Sequence, residues 1–202
     1  MAHFPNKLVV GLTGCIASGK TTALKLFAKN DWNTISTDQI VNRLWAENDR
    51  LISSAQDRWG KDEIFSLGRI DKSKIARIIF ENPDERIWLE EFLHPIVREK
   101  WVSQIRQSDT NFFVVELPLL FEKNLNSYFN HIISVFVTEK VQLTRLIHRG
   151  LTEKEAKARM KCQIPSGEKA NRADTVLLGV GSKSFLSNQI VEVSQNLSKS
   201  LD

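Results

Sequence analysis

Cysteine is scarce. The 202 residues contain only Cys15 and Cys162, far apart and neither in a C-x-x-C pair, which argues against a disulfide framework and a zinc site. Long apolar runs are missing too. No stretch approaches the ~20 residues that a membrane helix needs, so no membrane span is expected. The opening Met1-Ala2-His3-Phe4-Pro5-Asn6-Lys7 lacks the charged and apolar regions of a secretory signal, and a cytoplasmic setting is expected. There is no basic run with interleaved aromatics. The 28 Lys and Arg are scattered, so the net charge of +4 suits polyanionic small molecules and gives no support to nucleic-acid binding. Internal repeats and low-complexity segments are absent. What remains is an ordinary globular composition, 42% hydrophobic and 26% charged, in a chain able to bury one sizeable core with small inserted subdomains.

The informative segment is Gly14-Cys15-Ile16-Ala17-Ser18-Gly19-Lys20-Thr21, of the form G-x-x-x-x-G-K-T. It follows the apolar run Leu8–Leu12, read as a buried strand, and precedes Thr22–Lys29, read as a helix. Strand, glycine loop and helix form the setting that a phosphate-binding loop requires. Such a loop points successive backbone N–H groups inward, and the new helix adds its own unpaired amides and positive dipole end. Lys20 can reach β- and γ-phosphates, and the Thr21 hydroxyl can ligate Mg²⁺. The alternative for Cys15 is a redox-sensing thiol, since a helix N-terminus lowers thiol pKa, against a small residue that merely fills the loop.

Five apolar runs alternate with helical patterns: 8–12, 33–37, 112–117, 131–137 and 175–178. Continuous rather than alternating hydrophobicity suits strands covered on both faces, hence an α/β fold with a five-stranded parallel sheet and right-handed crossovers. Residues 39–110 read as almost wholly helical, too large a block for a crossover, and so as an inserted substrate domain. Asn82-Pro83 starts a helix there, and Pro95 is expected to break or kink it. Thr138 opens a helix through Arg149 that Gly150 ends. Thr152-Glu153-Lys154-Glu155 is a capping box for a helix to about Gln163, and a closing helix is expected from Ser184 to Leu201.

Ligands in open parallel sheets sit beyond the carboxyl ends of strands. Asp38, at the end of the second strand, would there orient or deprotonate an acceptor hydroxyl, or else cap the following helix. Glu116, ending the third strand, would hold Mg²⁺ through water or orient the acceptor, or simply bond loop amides. Arg145 and Arg149 share one helix face, and Arg159 follows in the next helix with Lys161 near it. Arginines that close over a triphosphate are a recurring kinase device, and a solvated basic face is the alternative. His94, alone in the helical block, reads by itself as a packed or capping residue.

Together these pieces resemble the dephospho-coenzyme A kinase family. The resemblance runs through Leu12-Thr13-Gly14 and the loop, Asp38, Leu93-His94-Pro95-Ile96-Val97, Glu116-Leu117-Pro118-Leu119-Leu120-Phe121-Glu122, Leu143-x-Arg145-x-x-x-Arg149, Arg159-Met160-x-x-Gln163, Glu168-Lys169 and Ala173-Asp174-x-Val176. It implies a three-layer sandwich of P-loop NTPase type, with a nucleotide core (1–44, 111–147 and 166–202), a helical coenzyme-binding insertion (45–110) and a small lid (148–165). It implies ATP and Mg²⁺ as donor and metal, dephospho-CoA as acceptor, and phosphorylation of the ribose 3′-hydroxyl, the last step of coenzyme A synthesis. A monomer or small homo-oligomer is expected.

Carried onto this chain, the catalytic residues are Asp38, Lys20 and Arg149. The donor-nucleotide contacts are Gly14, Ala17, Ser18, Gly19, Lys20, Thr21, Thr22, Arg145, Arg149 and Arg159. The acceptor side falls to Asp38, His94, Glu116 and Glu122, and the metal to Thr21 and Glu116. The chain departs from the family pattern at Cys15 and Ala17 (usually Gly), at Ser36-Thr37 before Asp38, at Asn42, at Gly150, and at Leu178-Gly179-Val180-Gly181. Two rivals are another small-molecule P-loop kinase, separable by a substrate panel, and a nucleotide switch. The N-K-x-D of guanine switches is missing, and no apolar strand ends in the Asp-Glu of mechanical ATPases.

Overall fold

The computed structural model describes residues 4–199; the start of the opening segment and the expected helix end at Leu201 lie outside them. Two compact units result, one made of the chain up to Ser36 and from Ile105 onward, the other of Thr37–Gln104.

The first unit holds five strands, β1 (Leu8–Gly14), β2 (Asn33–Ser36), β5 (Phe112–Glu116), β6 (His131–Phe136) and β7 (Thr175–Leu178), in the order β2-β5-β1-β6-β7. All pairs are parallel, with Val10 opposite Val114, Gly14 opposite Val135 and Ser36 opposite Glu116. All seven β1 residues are buried, as a central strand covered on both faces must be. One face packs Leu8, Val10, Leu12, Val114 and Ile133 against α1 (Lys20–Ala28) and α10 (Lys183–Ser198) through Ala23, Phe27, Leu186 and Ile190. Trp32 joins Phe27 and Phe112 edge-on at 5.9 and 5.3 Å. α9 (Ser166–Arg172) packs against β1 and β6, while α7 (Glu139–His148) and α8 (Glu153–Lys161) pack on each other, with Leu146 and Ala156 in a smaller core beside Ala17. Thr152 and Glu155 form the expected capping box, and Gly150 takes φ +89° after α7. The α9 segment has no apolar stripe and gave no periodic signal.

The second unit contains α2 (Thr37–Glu47), α3 (Asp49–Trp59), α4 (Lys61–Ile64), α5 (Lys72–Glu81) and most of α6 (Pro83–Gln107). Two differences from expectation appear. A hairpin, β3 (Phe65–Ser66) with β4 (Arg69–Ile70), interrupts the helices; strands of two residues are too short for a periodic pattern. And α6 continues through Pro95 as one helix of 25 residues, so the chain is not broken there. Pro95 and Glu91, four residues earlier, are both exposed, so the carbonyl that loses its partner lies on the solvent side. The Trp88 ring meets Trp59 edge-on and Phe92 at a tilt, with the Arg58 guanidinium 4.9 Å from the Trp88 ring centroid and Glu85 accepting from Trp59.

Candidate active site

The loop between β1 and α1 turns where its residues allow. Gly14 and Gly19 have φ of +139° and +109°, and Ala17 adopts φ +61°, a left-handed conformation costing an L-residue ~1–2 kcal/mol. Four successive carbonyls of the loop each accept a side-chain hydrogen bond. Lys20 Nζ donates to Cys15 O at 2.9 Å, Gln142 Nε2 to Ile16 O at 3.0 Å, and Arg145 Nη1 to Ala17 O and Ser18 O at 3.0 and 3.2 Å. A trans peptide sets each N–H opposite the preceding carbonyl, so the amides of Ala17 and Gly19 turn away from these donors. With the head of α1 they form a concavity suited to phosphate oxygens. The Ser18 hydroxyl is fully buried without a hydrogen-bond partner, an orphan that a polar ligand on the loop would relieve.

Beside the loop opens a cavity of about 450 Å³, within the usual range for a small-molecule site, bounded by Ala17, Gly19, Arg145, Arg149, Val180 and Gly181. Thr22 also lines it. Arg145 closes the arrangement by donating to Gly179 O at 2.7 Å. Gly179 is there because nothing larger fits: a Cβ would stand 2.2 Å from Ser18 O and 2.9 Å from Val135 Cγ1. We expect Gly179→Ala to displace the phosphate loop, lowering thermal stability by about 1–3 kcal/mol and weakening ATP binding, checked by thermal melts and titration calorimetry. An unchanged melt and affinity would show that the loop yields without cost.

Glu116, last residue of β5 and 1% exposed, accepts from the Thr21 hydroxyl at 3.0 Å and from the Ser36 hydroxyl at 3.1 Å. Parallel register puts Ser36 and Glu116 side by side, and the helix start brings Thr21 to them. Hydroxyl and carboxylate oxygens are hard donors that fit Mg²⁺, which keeps waters and leans on substrate phosphates. Accordingly, no cluster of three or more His, Cys, Asp or Glu able to hold a metal occurs among the described residues.

The remaining residues fall in several places. Arg149 is the C-terminal cap of α7 and exposed, and Arg159 lies on α8, where its charge bears on Glu155. Glu122 is engaged by Lys169, whose ammonium lies 2.8 Å from its Oε1, and by the Ile164 N–H at 2.9 Å. Asp38 and His94 belong to the helical unit. Asp38 is exposed in the first turn of α2, since β2 ends at Ser36, two residues earlier than the strand-end placement implied; His94 is half-buried on α6. Sequence reasoning gave no role to Gln142, Ser36 or Gly179. Their partners lie 80 to 161 residues away along the chain, and no spacing rule reaches that far.

Cys15 is buried, and its Sγ donates to Ile164 O at 3.2 Å. Burial pushes its pKa up, outweighing the opposing pull of Lys169 and Lys20, so the helix N-terminus does not make it a reactive thiolate. The half-exposed Cys162 is therefore expected to take up iodoacetamide first at neutral pH, with Cys15 at least about tenfold slower. Peptide mass mapping over time checks this, and equal rates would contradict the burial argument.

The dephospho-CoA kinase family profile matches residues 8–184. The chain is 33% identical over 187 residues to a dephospho-CoA kinase of Legionella pneumophila (strain Paris), covering 92% of this chain and 93% of the relative. It superposes on a Thermus thermophilus structure, TT1252, with a TM-score of 0.78 at 27% identity, covering 95% of this chain and 98% of that one. Dephospho-CoA kinase from Campylobacter jejuni gives 0.67 at 28% identity, with the same coverage. A phosphate loop gripped by its own fold, continued by a match along nearly the whole chain, places this protein in the dephospho-CoA kinase family.

Proposed function

We propose that the chain transfers the γ-phosphoryl group of ATP to the ribose 3′-hydroxyl of dephospho-CoA, giving coenzyme A and ADP. The observation that carries this reading is the amide concavity at residues 14–21, with its carbonyls tied by side chains, Lys20 among them, in a chain of this family. The cavity bounded by Arg145, Arg149 and the 179–181 loop takes the base and sugar of the donor. Magnesium bound with the phosphates would rest on Thr21 and, through water, on Glu116, neutralising charge there.

The transition state of phosphoryl transfer is loose, so alignment and charge neutralisation matter more than proton removal. Lys20 steadies the phosphate oxygens. Arg149 and Arg159 stabilise charge spreading over the transferring group, with Arg145 fixing the loop that carries the donor. Asp38 orients the acceptor hydroxyl, the role that the family resemblance implies for it. His94 and Glu122 complete the acceptor side, in a cytoplasmic, magnesium-dependent enzyme with a core, a helical insertion and a lid over 148–165. Incubation with ATP, Mg²⁺ and dephospho-CoA is expected to yield coenzyme A, a mass gain of one phosphoryl group. ATP consumption with another acceptor and none with dephospho-CoA would overturn the substrate.

A further inference from the structure

A second set of bonds ties the phosphate loop to the rest of the fold, and of its side chains only Glu122 has a part in the reaction as described. The side-chain oxygen of Gln163 accepts the Ile16 N–H at 2.7 Å, and the carbonyl of the next residue, Ile164, accepts from Cys15 Sγ. The first two variable residues of the loop are thus fastened to the chain just past α8, the helix that carries Arg159 four residues before Gln163. That joint is itself fastened. The Ile164 N–H donates to Glu122 Oε1, and Glu122 is paired with Lys169, whose fully buried ammonium also donates to Pro118 O at 2.6 Å. The path therefore runs from the segment after β5, through a buried ion pair, to the α8–α9 joint, and ends on the loop backbone.

A buried ion pair is poor evidence for stability, because desolvation of both charges offsets their attraction and apolar residues of similar size often serve as well. A pair of this kind is better explained by what it holds in place. Here it holds a backbone amide whose neighbours grip the phosphate loop. The Ile16 N–H would, if released, swing with a loop whose amide directions are its whole function.

We propose that Gln163 is a positioning residue that sets the shape of the phosphate loop and its placement against α8, and that the Lys169–Glu122 pair fixes Gln163 for this task. It touches neither reacting atom nor acceptor, so its effect falls on the donor. The proposal deepens the reading of the loop as the ATP site and rests on it.

The test is Gln163→Met, which keeps the side chain's size and removes the acceptor. ATP affinity, measured by calorimetry with Mg²⁺, is expected to weaken at least fivefold while the thermal midpoint stays put. In turnover, KM for ATP rises and KM for dephospho-CoA stays within twofold. A loss of ATP affinity smaller than fivefold in folded protein overturns the proposal. Should Gln163→Met not fold, the double variant Glu122→Leu/Lys169→Met decides by the same criterion, since it replaces the ion pair by apolar volume and leaves Ile164 without its acceptor. Wild-type protein is run alongside with dephospho-CoA. If it binds ATP but makes no coenzyme A, the substrate reading fails and the affinity comparison still judges Gln163.

Discussion

Lys20→Ala is expected to lower ATP-dependent formation of coenzyme A by at least about 10²–10³-fold, the usual loss for one preorganised charge-stabilising donor. The expectation rests on placement. Lys20 is the first residue of α1 and only 8% exposed, with its ammonium on Cys15 O at 2.9 Å. The ammonium is already largely desolvated and already at the loop, so little reorganisation is needed when phosphate oxygens arrive. Its removal also takes one of two donors from the Cys15 carbonyl, which keeps the Ser18 N–H at 3.1 Å. The other three loop carbonyls stay bound to Gln142 and Arg145, so the protein should fold and melt near the wild-type temperature. Mass-detected turnover and a thermal melt measure the two sides. Turnover retained at the wild-type rate would mean that the donor binds elsewhere.

For Asp38→Asn the expected loss is about 10²–10⁴ in kcat, with ATP affinity preserved. Asparagine keeps the shape and one acceptor oxygen but removes the charge that favours an incoming hydroxyl's dipole. The competing reading makes Asp38 a helix residue only. It sits in the first turn of α2, where a carboxylate interacts with the helix dipole for ~0.3–1 kcal/mol. That role predicts a small drop in stability and unchanged turnover. Kinetics and melting therefore separate the two roles in one variant, and near-normal kcat would remove Asp38 from the chemistry.

Parts of the molecule were legible because their causes are local. The phosphate loop could be read because glycines stand where φ is positive and the flanking strand and helix are continuous in the chain. The five strands announced themselves as short apolar runs, and the capping box at Thr152 needs only four residues. Other parts were not. The polar α9 carries no stripe, the hairpin at 65–70 is too brief, and exposure let α6 pass through Pro95.

The site divides along the same line. Gly14, Gly19, Lys20 and Thr21 act through backbone geometry and short reach, and an eight-residue window contains the whole of that chemistry. The hold on the loop does not. Gln142 and Arg145 come from 126 to 128 residues away, Gln163 from 147, and Glu116 meets Thr21 across 95. The amino-acid sequence alone determined the succession of strands and helices along the chain, the phosphate-gripping loop and the family resemblance. The folded sheet decided which distant side chains tie the loop's carbonyls, which carboxylate meets the Thr21 hydroxyl, and that Cys15 is buried. Local conformation follows from neighbouring residues, whereas these contacts exist only once parallel strands have brought far-apart segments into register.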